Sequence, residues 1–99
     1  MNWRSRKLLD RAKDAPHCML CHCHGDGTNL VAAHSNQLRD NKGRGIKADD
    51  YRIAFLCHVC HTAVDQGSVW TADQKRLVWE EAHRESMGWL IESRFLKVV

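Results

Sequence analysis

Ile53-Ala54-Phe55-Leu56-Cys57-His58-Val59-Cys60-His61-Thr62-Ala63-Val64-Asp65-Gln66-Gly67 is the stretch on which the fold turns. Its opening continues from Tyr51, and residues 51–56 predict a β-strand rich in branched and aromatic side chains. Residues 57–66 predict a short helix, stopped by Gly67. At the join stands Cys57-x-x-Cys60, and a matching Cys18-x-x-Cys21 lies 35 residues upstream. Each pair offers one ion two sulfurs at a tight bite, so together they predict a tetrahedral zinc site of four thiolates. A chain of 99 residues buries a modest core, and an ion bound only by the folded arrangement adds folding free energy.

Working outward, residues 17–28 pack three Cys, three His and two Gly into a tight knuckle. Residues 29–34 predict a first strand, antiparallel to the second and ending at His34. Between the strands, residues 35–50 are polar, contain Gly43-Arg44-Gly45 and predict a long loop. Upstream, residues 5–15 predict a helix that Pro16 blocks. Downstream, Thr71-Ala72-Asp73-Gln74 is a capping-box signature that opens a final helix over about 71–96. Val78, Ala82, Trp89 and Phe95, widened by Leu77, Leu90 and Ile91, form its apolar stripe, while Trp79 or Trp89 is expected at the surface. The expectation is a single α+β domain over residues 1–99.

Composition narrows the classes. Hydrophobic residues make up 43% of the chain, the mean hydropathy is −0.51, and apolar runs such as 53–56 are far too short to span a bilayer. The charged first residues lead into no apolar segment, so a cytoplasmic location is expected, where cysteines bind metal more often than they form disulfides. Both pairs are followed by a histidine, His22 and His61, and so match the c-type haem attachment pattern. Haem of that type is attached in an exported compartment, and no haem is expected here. Thioredoxin-like redox chemistry requires a βαβ setting that the pattern lacks. Cys23, crowded by His17, His22 and His24, remains an alternative ligand to Cys18 or Cys21. The net charge of +3 sits in the first half of the chain, which points to a polyanionic partner.

A second constellation carries chemistry. His61 and Asp65 lie at i and i+4, on one face of the predicted helix, where an imidazole and a carboxylate can hold a divalent ion with positions left open. The order of a knuckle, a strand ending in His, a long loop, a second strand and Cys-x-x-Cys-His opening a helix resembles the HNH, or ββα-metal, endonucleases. The segments Ala33-His34-Ser35-Asn36, Gly43-Arg44-Gly45, Lys47-Ala48-Asp49-Asp50, Leu56-Cys57-His58-Val59-Cys60-His61 and Asp65-Gln66-Gly67 are similar to those of small phage- and prophage-encoded HNH-like nucleases. The resemblance covers about residues 17–68. It implies a zinc-braced ββα-metal unit flanked by helices, with His34 as general base and His61 and Asp65 holding catalytic Mg2+ or Mn2+. It further implies that Cys18, Cys21, Cys57 and Cys60 form the structural zinc site.

Two positions depart from the wider superfamily. Ala33 stands where Asp or His usually supplies a third metal ligand, so either water and phosphate complete the ion or His34 is itself a ligand. The residue that pins the loop is Asn36, Asn41 or Asp50. Arg39, Lys42, Arg44, Lys47 and Arg52 lie in or beside that loop and are the expected contacts to the DNA phosphate backbone, with little base readout. The resemblance thus implies a DNA endonuclease of phage recombination or DNA processing, as a monomer or a homodimer. The alternative is a zinc-knuckle module that binds nucleic acid or protein without catalysis.

Overall fold

The computed structural model describes residues 2–43 and 45–97. In chain order the elements are α1 (Arg6–Leu9), a 3-10 turn (Asp10–Asp14), β1 (Leu30–His34), a second 3-10 turn (Leu38–Asp40), β2 (Ile53–Cys57), α2 (His58–Asp65) and α3 (Ala72–Glu92). The class is α+β, with one two-stranded antiparallel sheet and three α-helices among the described residues. Leu30 pairs with Cys57 at one end of the sheet and His34 with Ile53 at the other. No helix among the described residues is long and apolar enough to cross a membrane.

β2 is buried along its whole length, because protein covers both of its edges. On the side away from β1, Ser86 Oγ accepts the Phe55 N–H at 3.0 Å and donates onward to the Ala82 carbonyl at 2.8 Å. His83 Nδ1 lies 2.7 Å from the Ile53 carbonyl, and the Met19 N–H donates to the Phe55 carbonyl at 2.9 Å. An edge strand that leaves no backbone group unsatisfied can lie in the core. Burial pushes the His83 imidazole below its ordinary value, so the neutral ring donates through Nδ1–H. Phe55, Ile53, Leu56 and Leu90 are fully buried in the core, each contributing roughly 1.5–3 kcal/mol of apolar burial.

The capping box at Thr71 forms in both directions, Thr71 Oγ1 accepting the Gln74 N–H and Gln74 Oε1 the Thr71 N–H. Three expectations need correction. The N-terminal helix over 5–15 is a single α-turn that tightens into 3-10 geometry. Ala15 is already extended, as a residue before proline must be, and so short a segment has little to propagate. The last helix ends at Glu92, where Arg94 at φ 65 turns the chain out. Its buried side is Trp79, Ala82, Ser86 and Leu90, whereas Leu77, Ile91 and Phe95 are exposed. Trp79 is inside because its indole N–H donates to the Ala33 carbonyl at 3.2 Å.

Candidate metal centre and active-site cleft

At the Leu30–Cys57 end of the sheet, Cys18 and Cys21 come from the knuckle, Cys57 from the last position of β2 and Cys60 from the first turn of α2. The knuckle is a hydrogen-bonded turn: His22 N–H donates to Cys18 O, Cys18 N–H to Cys23 O, and Leu20 N–H lies 3.4 Å from Cys18 Sγ. A tetrahedral ion with sulfur at ~2.3 Å requires sulfurs ~3.8 Å apart. Cys21 Sγ and Cys57 Sγ are 3.8 Å apart, and all four sulfurs lie within 4.8 Å of one another. This cluster can hold a metal ion such as zinc. The Cys23 backbone N–H lowers Cys21 to about 6, while burial and the neighbouring sulfurs push Cys60 up. Crowded thiols cannot all ionise without a cation, and four thiolates around zinc can. Cys23 is exposed and stands outside the four.

At the opposite end, His34 Nε2 lies 2.8 Å from Asp50 Oδ1. Asp50 is buried and accepts from the Ser5 N–H at 2.7 Å and from Arg4 Nη1 at 3.1 Å. Burial pushes its carboxyl up, but the bonds from His34, Ser5 and Arg4 outweigh that and hold it below the ordinary range. Its neighbour Asp49, also buried, accepts from the Trp3 N–H, Asn41 Nδ2 and Tyr51 OH. These bonds, the Trp3 N–H foremost, hold its carboxyl below the ordinary range. Residues 2–5 therefore act as a strap along the back of the loop, with Asn2 and Arg4 also donating to the Lys47 carbonyl. Of the three candidates for the residue that pins the loop, Asp50 is the one bonded to His34. Asn36 instead donates to Asp65 Oδ1 at 2.8 Å, and Asn41 to Asp49.

His34, His61 and Asp65 share one cleft of about 450 Å³, which Asn36, Lys42 and Lys47 also line. Among the described residues they do not close into a three-ligand cluster; only the four cysteines and His17, His22 and Glu85 do so. Ala33 is buried in the apolar core, so its place in the strand offers the cleft no ligand. A second cavity of about 560 Å³ adjoins at Asn36 and Asp65 and is flanked by Arg39, Lys75 and Arg76.

The five expected phosphate contacts separate. Lys42 and Lys47 line the cleft. Arg39 is largely exposed, 3.6 Å from Glu80, and Arg44 lies outside the described residues. Arg52 is turned inward: Nε is 3.0 Å from Asp40, Nη2 bonds Glu80, and the guanidinium sits 4.9 Å over the Trp79 ring. Two carboxylates neutralise it, so it fastens the loop to α3. The strap residues Trp3, Arg4 and Ser5 escaped sequence reasoning, since polar loop acids such as Asp49 and Asp50 give no local sign that backbone amides from the chain's start reach them. No protein-family model, curated protein or solved structure matches the chain significantly.

Proposed function

We propose that this chain is a metal-dependent DNA endonuclease of HNH type. One zinc ion in the cysteine cluster braces the ββα unit, and the cleft beside His34 performs phosphodiester hydrolysis. The observation that carries this reading is the cleft itself. It gathers an imidazole, a second imidazole with a carboxylate one helical turn away, and two lysines, while a buried carboxylate holds the first imidazole from behind. With Asp50 ionised, Nε2 of His34 carries the proton, and Nδ1 is left as the acceptor. His34 takes the proton of the attacking water, the hydroxide forms a bond to phosphorus, and the bond to the 3′ oxygen breaks. His61 and Asp65 fit a hard or borderline divalent ion, with Asn36 orienting the carboxylate. Mg2+ or Mn2+ bound there supplies positive charge to the leaving oxygen. Lys42 and Lys47 hold the backbone without reading bases, which makes cleavage weakly sequence-specific.

Plasmid relaxation across Mg2+, Mn2+ and a chelator tests this. Nicking is expected with either metal and is expected to fall at least a hundredfold in His34→Ala. Tightly bound zinc should stay at one per chain in that variant. Zinc without metal-dependent cleavage of duplex, single-stranded or branched DNA sinks the enzyme reading. It would favour a zinc-knuckle binding module, for which the absence of a ligand side chain at Ala33 already speaks.

A further inference from the structure

The knuckle carries three histidines that neither the zinc cluster nor the cleft uses. Two of them, His17 and His22, flank the Cys18–Cys21 turn and meet Glu85 of α3, with one donor atom from each of the three within 4.8 Å of the others. His22 Nε2 and Glu85 Oε2 are 3.3 Å apart. Nitrogen and oxygen donors at ~2.0–2.2 Å from a tetrahedral ion stand ~3.3–3.5 Å apart, so this pair already has the spacing of two ligands on one ion. The two imidazoles are tilted by 44° at 5.1 Å between centroids, rather than stacked face to face.

We propose that His17, His22 and Glu85 form a second metal site, of two imidazoles and one carboxylate, for a borderline divalent ion such as Zn2+. Its backbone is fixed before the ion arrives. His22 N–H is tied to Cys18 O, Cys18 N–H to Cys23 O, Gly25 N–H to Pro16 O, and His17 forms a bridge with His24. His22 sits at φ 64, a left-handed conformation that a side chain other than Gly rarely adopts. In that conformation its ring stands on the side of the turn that faces Glu85. The first zinc, by ordering the turn, thus presents the second site. Three protein ligands leave a fourth position for water, and the ion ties the knuckle to α3, an element that contributes no cysteine.

The test uses protein carrying its one tight zinc, titrated with Zn2+ by calorimetry and with Co2+ by visible absorption. A second ion is expected, and bound Co2+ should give d–d bands without new thiolate charge transfer. Glu85→Gln should weaken that ion at least tenfold. His22→Gly, which suits the positive φ and spares the turn, should weaken it similarly. His61→Ala should leave it unchanged. A stoichiometry that stays at one, or a second ion indifferent to Glu85→Gln, overturns the proposal. Loss of the ion in His61→Ala alone assigns it to the cleft and overturns it too. DNA cleavage is not part of the readout, so the site stands or falls apart from the endonuclease reading.

Discussion

The two ends of the β1–β2 sheet hold their loops by opposite chemistry. At the Cys57 end four sulfurs converge on a space the size of one ion, and the knuckle is otherwise held by its own turn bonds, by the Met19–Phe55 backbone bond and by burial of Cys18 and Met19. At the His34 end three buried or half-buried acids, Asp40, Asp49 and Asp50, gather N–H, O–H and guanidinium donors from residues 3–5, 35, 41 and 52. One end can hold a cation, which could be removed. The other answers to protons and to the continuity of a polar network, where each deletion leaves a buried partner unsatisfied. A small domain that needs both a rigid brace and a polar cleft has kept them at opposite ends of two five-residue strands.

The comparison breaks most visibly at the sulfur end. Structural zinc contributes on the order of 10 kcal/mol, as much as the whole stability of a typical domain. Chelation under reducing conditions, or Cys57→Ser, is therefore expected to abolish the cooperative unfolding transition followed by circular dichroism. A chelated protein that still melts cooperatively would show that the core stands without the ion. At the cleft end, Asp50→Ala removes the acceptor of three donors and should cost about 3 kcal/mol in denaturant unfolding. Zinc content should be unchanged, since the lesion lies at the far end of the sheet.

Sequence and structure part company along the same line. The sulfur end was legible because a metal's bite is local: two cysteines three residues apart say almost everything, and the capping box at Thr71 is equally self-contained. The pairing of β1 with β2 and the helix after Cys57 followed from branched residues, Gly67 and the spacing. The cleft end was half legible. His34, His61 and Asp65 do line one cavity, but Asp49 and Asp50, in a stretch expected to be a polar loop, are buried. Their backbone donors, Trp3 and Ser5, come from more than forty residues away. Ser86 carries no sequence signal of its role, yet it completes the edge of β2. Arg52 reads as a free cation and is held by Asp40 and Glu80.

That last contrast gives an intermediate effect. Arg52→Leu should destabilise by about 2 kcal/mol, because it leaves Asp40 without its cation and Glu80 with the exposed Arg39 in its place. Lys47→Ala should leave stability within about 0.5 kcal/mol and, if DNA binds at the cleft, lower the salt dependence of binding by about one phosphate contact. Equal effects of the two on binding would erase the distinction between fastening and contacting residues.

The smallest effect is in pH. Asp49, Asp50 and Glu80 are held below their ordinary values in the fold, so the unfolded chain takes up their protons first. Their contribution is complete above about pH 5 and is lost progressively as pH falls further. His83 is also depressed, so it destabilises the fold as pH falls below about 6.5. Denaturant melts between pH 7.5 and 5.5 should therefore show a shallow decline that His83→Gln removes. A decline that survives the substitution belongs to the thiolates and their ion instead.

The strap has a consequence for how the molecule assembles. Ser5 must find Asp50 across 45 residues of chain, an expensive closure when the chain is open. Once an ion joins Cys18 and Cys21 to Cys57 and Cys60, the shortest path between those two residues runs through the metal and is roughly twenty residues long. By the logarithmic scaling of loop entropy, the remaining closure is easier by ~0.7 kcal/mol. A brace at one end of the sheet thus shortens the search at the other, where Asp50 meets both Ser5 and His34.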